Sequence, residues 1–223
     1  MSVTKFVRYF FVAALAILIG VAQSGTVRAA DKAAPEGVGG FDGSSFKCLD
    51  YTNGLGENAT TKPLSVLGHL WMQGYLAGLY KAQGKLELSD DKADEQKFSS
   101  VILQRCRDYP GSSILAVSLQ AIAKDVYKIP SKTIVDFSLS SYTCGQQTDA
   151  KGGAAGDANK ADLADLWAFA FIQGYKNATT PDMLIAPENK SVLTGAIARN
   201  CAKNRDMTLL DMTALVAERV KLQ

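Results

Sequence analysis

The sequence predicts an all-α fold made of two small tandem helical bundles, each closed by one disulfide, and three observations carry that prediction. The stretch Trp71-Met72-Gln73-Gly74-Tyr75-Leu76-Ala77-Gly78 returns one hundred positions later as Phe171-Ile172-Gln173-Gly174-Tyr175-Lys176-Asn177-Ala178. The four cysteines fall into two pairs of nearly equal separation, 58 residues from Cys48 to Cys106 and 57 from Cys144 to Cys201. Around both copies the apolar residues recur at helical rather than alternating spacing. A chain of 223 residues can form one ordinary domain or two small ones, and the internal repeat decides for two. Of the three pairings open to four cysteines, the repeat selects Cys48 with Cys106 and Cys144 with Cys201. Closing a loop of that length contributes on the order of 4 kcal/mol in the chain-entropy model, useful to domains whose small cores bury little surface.

Taken in order, residues 1–29 read as a signal peptide. Lys5 and Arg8 precede an apolar run from Tyr9 to Val21, and Val27-Arg28-Ala29 offers a small-residue cleavage pattern. The run is shorter than the roughly 20 residues that span a bilayer, so the expectation is a soluble exported protein without stable membrane insertion. Residues 30–45, rich in Gly, Ala and Pro, read as a flexible leader. Repeat one occupies 46–128. A loop is expected from Tyr51 to Pro63, a first helix at about 64–80, a solvated acidic loop over 85–97, and a second helix at about 94–105 ending at Cys106. Asp108-Tyr109-Pro110-Gly111 breaks that helix, and Ser112 or Ser113 caps a third, with Ile114, Leu115, Val117, Leu119, Ile122 and Val126 on its apolar face. Residues 129–141 read as a linker in which Thr133 to Phe137 has slight strand character.

Repeat two occupies 142–223. Tyr142-Thr143-Cys144 echoes Phe46-Lys47-Cys48, residues 145–160 read as a floppy Gly/Ala/Asp/Asn stretch, and helices are expected at about 161–177 and 191–200. Thr208-Leu209-Leu210-Asp211 resembles a capping box opening the last helix. In each central helix a glycine and a second small residue, Gly74 with Gly78 and Gly174 with Ala178, stand one turn apart on one face. Trp71, Tyr75, Phe171 and Tyr175 flank them. These eight are the predicted helix-packing residues, placed where helices meet inside each bundle.

The sequence offers little for chemistry, and no enzyme is expected. Without Lys5, Arg8 and Arg28, 21 basic side chains face 22 acidic ones, leaving no basic stripe for nucleic acid. His69 is the single histidine, so serine triads, zinc sites and papain-like chemistry would all depend on it; it reads as a packed or partly exposed helix residue, replaced by Phe169 in repeat two. No metal, cofactor or catalytic residue is predicted.

An aromatic-x-Cys start, a Gly-Tyr helix preceded by an aromatic, a second cysteine near 57 residues on and a capped amphipathic helix resemble the HdeA/HdeB-type acid-stress chaperones, particularly their single-disulfide relatives. The carriers are Phe46, Cys48, Trp71, Gly74, Tyr75, Cys106 and Pro110, then Tyr142, Cys144, Phe171, Gly174, Tyr175 and Cys201. Repeat two departs at Arg205, where the proline would fall. The resemblance implies a periplasmic helical protein that partly unfolds in acid, exposes apolar faces and holds unfolded or acid-denatured client proteins without ATP. Rap1a/Tai-type immunity proteins, which neutralise a protein toxin, share the export, disulfides and Gly-Tyr helices and supply the alternative expectation.

Overall fold

Two helices of nearly equal role run through the centre. In the computed structural model, which describes residues 38–55, 62–153, 155–181 and 185–220, they are α2 (Lys62–Ala82) and α7 (Ala155–Thr179). The signal segment 1–29 and the end of the chain at 221–223 lie outside the described residues. Around α2, repeat one adds α1 (Cys48–Gly54), α3 (Lys92–Asp108) and α4 (Ile114–Val117), which continues through a π turn at Ser118–Ile122 into α5 (Ala123–Asp125). Around α7, repeat two adds α6 (Cys144–Gly152), α8 (Lys190–Cys201) and α9 (Leu209–Arg219).

The helix ends are set by local chemistry. Asp91 accepts from the Ala93 N–H, Asp94 and Glu95 occupy the first turn of α3, and Arg105 and Arg107 its last, so both ends of the helix dipole meet opposite charge. The acidic stretch expected as a loop over 85–97 is therefore helical from Lys92 on, and only 85–91 stays outside the helix. Ser113 caps α4, and Thr208 Oγ1 accepts from the Asp211 N–H while donating to its carboxylate, the predicted capping arrangement on α9.

Each repeat is closed by its own disulfide, Cys48–Cys106 and Cys144–Cys201, with Cα atoms 4.7 and 4.6 Å apart and all four sulfur-bearing residues fully buried. The same backbone clasp accompanies each bridge. The Cys48 N–H donates to Ser112 O and Ile114 N–H to Phe46 O; in repeat two Cys144 N–H donates to Met207 O and Leu209 N–H to Tyr142 O. The Arg205 carbonyl takes the Gly145 N–H as the Pro110 carbonyl takes that of Leu49. Arg205 thus fills the place of the missing proline without altering the clasp, because only a carbonyl is required there.

Four further expectations are corrected. Residues 145–160 are not floppy: Thr143 and Gln146 form a complete capping box that starts α6, and α7 begins at Ala155, leaving Gly152 and Gly153 as the break between two helices. Part of the loop expected after Tyr51 is helical, in α1. Residues 38–45 are not all leader, since Phe41 is buried against Phe46, ring centroids 5.0 Å apart, and the Gly43 backbone lies on the Trp71 indole. Residues 129–141 are not a spacer either. Leu88–Ser89 (β1) and Ile129–Pro130 (β2) pair in parallel, Lys132 bridges to Ser138 around a turn in which Asp136 takes φ +60°, and Ile129, Phe137 and Leu139 are buried. Phe137 sets its ring against Tyr142 and Trp167, and Gln73 Nε2 donates to the Pro130 and Lys132 carbonyls. Polar neighbours in the sequence conceal these three apolar anchors.

The two bundles are not separate bodies. Their buried residues form one continuous core, and the described residues make one compact unit.

Candidate functional site

The seam between α2 and α7 unites the halves, and most of the predicted helix-packing residues lie on it. A Cβ placed on Gly78 would sit 1.9 Å from Phe171 O, one on Gly174 1.9 Å from Tyr75 O, and one on Gly74 2.4 Å from Trp167 O. Only glycine admits such backbone contact. The two helices run in the same direction here, since Gly74 faces Trp167 and Gly78, one turn on, faces Phe171. The small residues therefore meet across the repeats rather than inside each bundle. Trp71 stacks on Tyr75 at 5.0 Å and Phe171 on Tyr175 at 6.5 Å, the same one-turn pair in both helices; Trp71, Gly74, Tyr75, Gly78, Phe171 and Gly174 are buried, and Tyr175 and Ala178 are half-buried.

Polar groups pin the seam at positions that packing considerations alone do not single out. Trp71 Nε1 donates to Gln173 Oε1 at 3.1 Å, Gln173 Nε2 donates to Ile185 O, and Asn177 Nδ2 donates to Tyr75 Oη. In the duplicated arrangement Gln73 would answer to Phe171, whose side chain has no N–H to donate. Accordingly Gln73 Oε1 has no partner among the described residues, although its amide nitrogen is bonded twice. Both glutamines belong to the repeated Gln-Gly-Tyr triplet, so the signal for them was present in the sequence.

His69 sits on α2 facing away from the seam. It is 8% exposed, its Nδ1 is 3.2 Å from Tyr51 Oη of α1, and its ring makes a T-shaped contact with the Phe98 ring of α3, centroids 5.4 Å apart. Burial pushes its pKa down to about 4 and drives that of the Tyr51 phenol upward, so at neutral pH the pair is uncharged. Beside it lies a groove of about 500 Å³ lined by Tyr51, Leu55, Ile134 and Leu103, with Lys92 and Glu95 among its polar residues.

At the corresponding place in repeat two the side chains differ. Counted from the first cysteines Gln147 stands for Tyr51, and counted from the Gln-Gly-Tyr triplets Asp165 and Phe169 stand for Ser65 and His69. Gln147 Nε2 donates to Asp165 Oδ1 and Lys151 Nζ to Oδ2, each at 2.8 Å. Burial, outweighing Lys151, raises the Asp165 carboxyl above its ordinary range. Nearby, Lys190 donates to Val38 O, and burial lowers its pKa.

All four thiols are held in disulfides, and the single histidine faces a phenol and a ring. The disulfides suit an oxidising, exported setting. Among the described residues no helix is long and apolar enough to cross a membrane, and no group of three or more His, Cys, Asp or Glu could hold a metal ion. No protein-family model, curated protein or solved structure matches the chain.

Proposed function

We propose that this protein is an exported, ATP-independent holding chaperone that opens in acid and binds unfolding client proteins on the apolar surface so uncovered. The observation that carries the reading is the buried, uncharged His69, held between Tyr51 and Phe98 in the layer covering α2 at the floor of the groove. A histidine whose folded pKa lies below its unfolded value binds its proton more readily when released. Stability is therefore complete above about pH 6.5, falls as pH drops toward about 4, and has lost that contribution below it. Further down, neutralising the 22 acidic side chains leaves the mature chain strongly positive, and self-repulsion loosens the shared core while the two disulfides limit its expansion. The aromatic and aliphatic side chains of the seam and of the layer around it supply the surface a client would meet.

The resemblance to HdeA/HdeB-type proteins and the signal-like start agree with this assignment to the periplasm. Its test is light scattering of an acid-sensitive enzyme shifted to pH 3 with and without an equimolar amount of the oxidised protein. Suppressed scattering, followed by recovery of client on neutralisation, is expected. Unchanged scattering at pH 3, or a tight neutral-pH complex with a secreted toxin as the sole activity, would end the chaperone reading, the latter in favour of an immunity protein.

A further inference from the structure

The duplication builds one pocket twice and furnishes it with opposite chemistry. In repeat one the short helix after the first cysteine sets Tyr51 against His69, and Ser65 Oγ donates to the Tyr51 carbonyl. In repeat two the equivalent helix sets Gln147 against Asp165, and Gln147 Nε2 also donates to the Ala161 carbonyl. One pocket thus holds a buried base and the other a partly buried acid, its side chain 15% exposed. We propose that acid opens the molecule in a fixed order, the α1/α3 layer of repeat one first and repeat two last. This deepens the acid response proposed above and rests on it.

The surroundings of each group support the order. Facing His69 are the Tyr51 phenol from α1, the Phe98 ring with Lys92 and Glu95 from α3, and Ile134 from the segment joining the repeats. A second ring proton would place a positive charge in a buried site with Tyr51 Oη its hydrogen-bond partner, while Lys92 and Glu95, opposite in sign and both exposed to solvent, largely offset one another. The layer can relieve that charge by lifting away from α2 and admitting water. Facing Asp165 are Gln147 and Lys151 from α6, Asp162 from its own helix, Lys190 and Glu188 across a neighbouring hollow, and Tyr142, whose phenol feels its charge. Protonating Asp165 removes a charge that burial opposes, so the folded form of repeat two binds this proton more readily than the unfolded form. The same fall in pH that loosens one pocket tightens the other. With α7 still in place, α2 would remain docked along the glycine seam and present the face that α1 and α3 had covered.

Hydrogen exchange of the oxidised full chain, read by mass spectrometry from pH 7.5 to 3 and corrected for intrinsic rates, tests this. Amides of α1 and α3 are expected to lose protection about one pH unit or more above those of α6 and α8. His69→Phe, which installs repeat two's residue, should shift the repeat-one transition to lower pH and narrow the gap; Asp165→Asn, neutral at every pH, should leave repeat two at least as protected as the parent at pH 7 and abolish its gain in protection on acidification. Should either variant fail to fold, the order in the unmodified protein decides, together with the pH at which the His69 ring resonances titrate. Loss of protection in both repeats at one pH, or in repeat two first, overturns the proposal. Ordered opening without client holding would refute the chaperone reading and leave this inference standing, whereas holding with simultaneous opening would do the reverse.

Discussion

Gly78→Ala examines the seam at its tightest point. The added Cβ would lie 1.9 Å from Phe171 O, 2.7 Å from its carbonyl carbon and 2.9 Å from Tyr175 N, all backbone atoms of α7, where ordinary contact begins at 3.4 Å. No side chain can rotate to make room, so the helices must part by about 1.5 Å locally. A gap of even 0.5 to 1 Å forfeits roughly a quarter to a half of the dispersion energy of the atoms it separates. Strain and lost contact of this kind cost about 3 kcal/mol, while alanine in place of glycine returns about 1 kcal/mol of helix propensity, for a net loss of about 2 kcal/mol. Gly195→Ala in α8 is the matched comparison. Its new Cβ meets only the end of the Arg199 side chain at 3.4 Å, so the propensity gain of about 1 kcal/mol should stand alone. Urea denaturation at pH 7 with disulfides intact should move the two midpoints in opposite directions. If Gly78→Ala is as stable as the parent or more so, the backbone-to-backbone seam is refuted.

Other expectations concern the bridges, the caps and the histidine. Removing either disulfide by double substitution, Cys48→Ala with Cys106→Ala or Cys144→Ala with Cys201→Ala, should cost about 4 kcal/mol, nearly equally because the loops are of nearly equal length; chemical denaturation of the two variants measures it. Thr208→Ala and Ser113→Ala should each lose about 1 kcal/mol by uncapping α9 and α4, seen as a lower thermal midpoint. Arg205→Ala, which deletes an exposed ion pair with Asp149, should change stability by less than about 1 kcal/mol in the same assay. Between pH 6.5 and 4 the parent should lose about 3 kcal/mol relative to His69→Phe in denaturant titrations, since the two proteins differ in this proton alone.

How far the sequence reaches is seen in particular residues. The disulfide pairing followed from the duplication because each cysteine pair had a counterpart at nearly the same spacing, and the caps at Thr208 and at Ser112 or Ser113 were legible because capping is a contact within four residues, the structure choosing Ser113. Gly74, Gly78 and Gly174 announced a close approach but not its partner, since a missing Cβ says that a backbone arrives and not which one; here it arrives from the other repeat. Helix α6 was hidden by the glycines at its end, although Thr143 and Gln146 spelled out its capping box. The joining segment was hidden because its anchors Ile129, Phe137 and Leu139 sit among Ser, Thr and Lys, and its carbonyls are held by Gln73, 57 and 59 residues earlier. The pairing of His69 with Tyr51, and the matching of Asp165 to Gln147, depend on contacts 18 residues apart that no local pattern encodes.

The most direct trial of acid opening is fluorescence of an apolar-surface dye with the oxidised protein, titrated from pH 7 to 2 and back. The account predicts little binding at pH 7, a rise that begins below about pH 5, and reversal on neutralisation. Fluorescence that stays flat to pH 2, with tertiary circular dichroism unchanged, would contradict it.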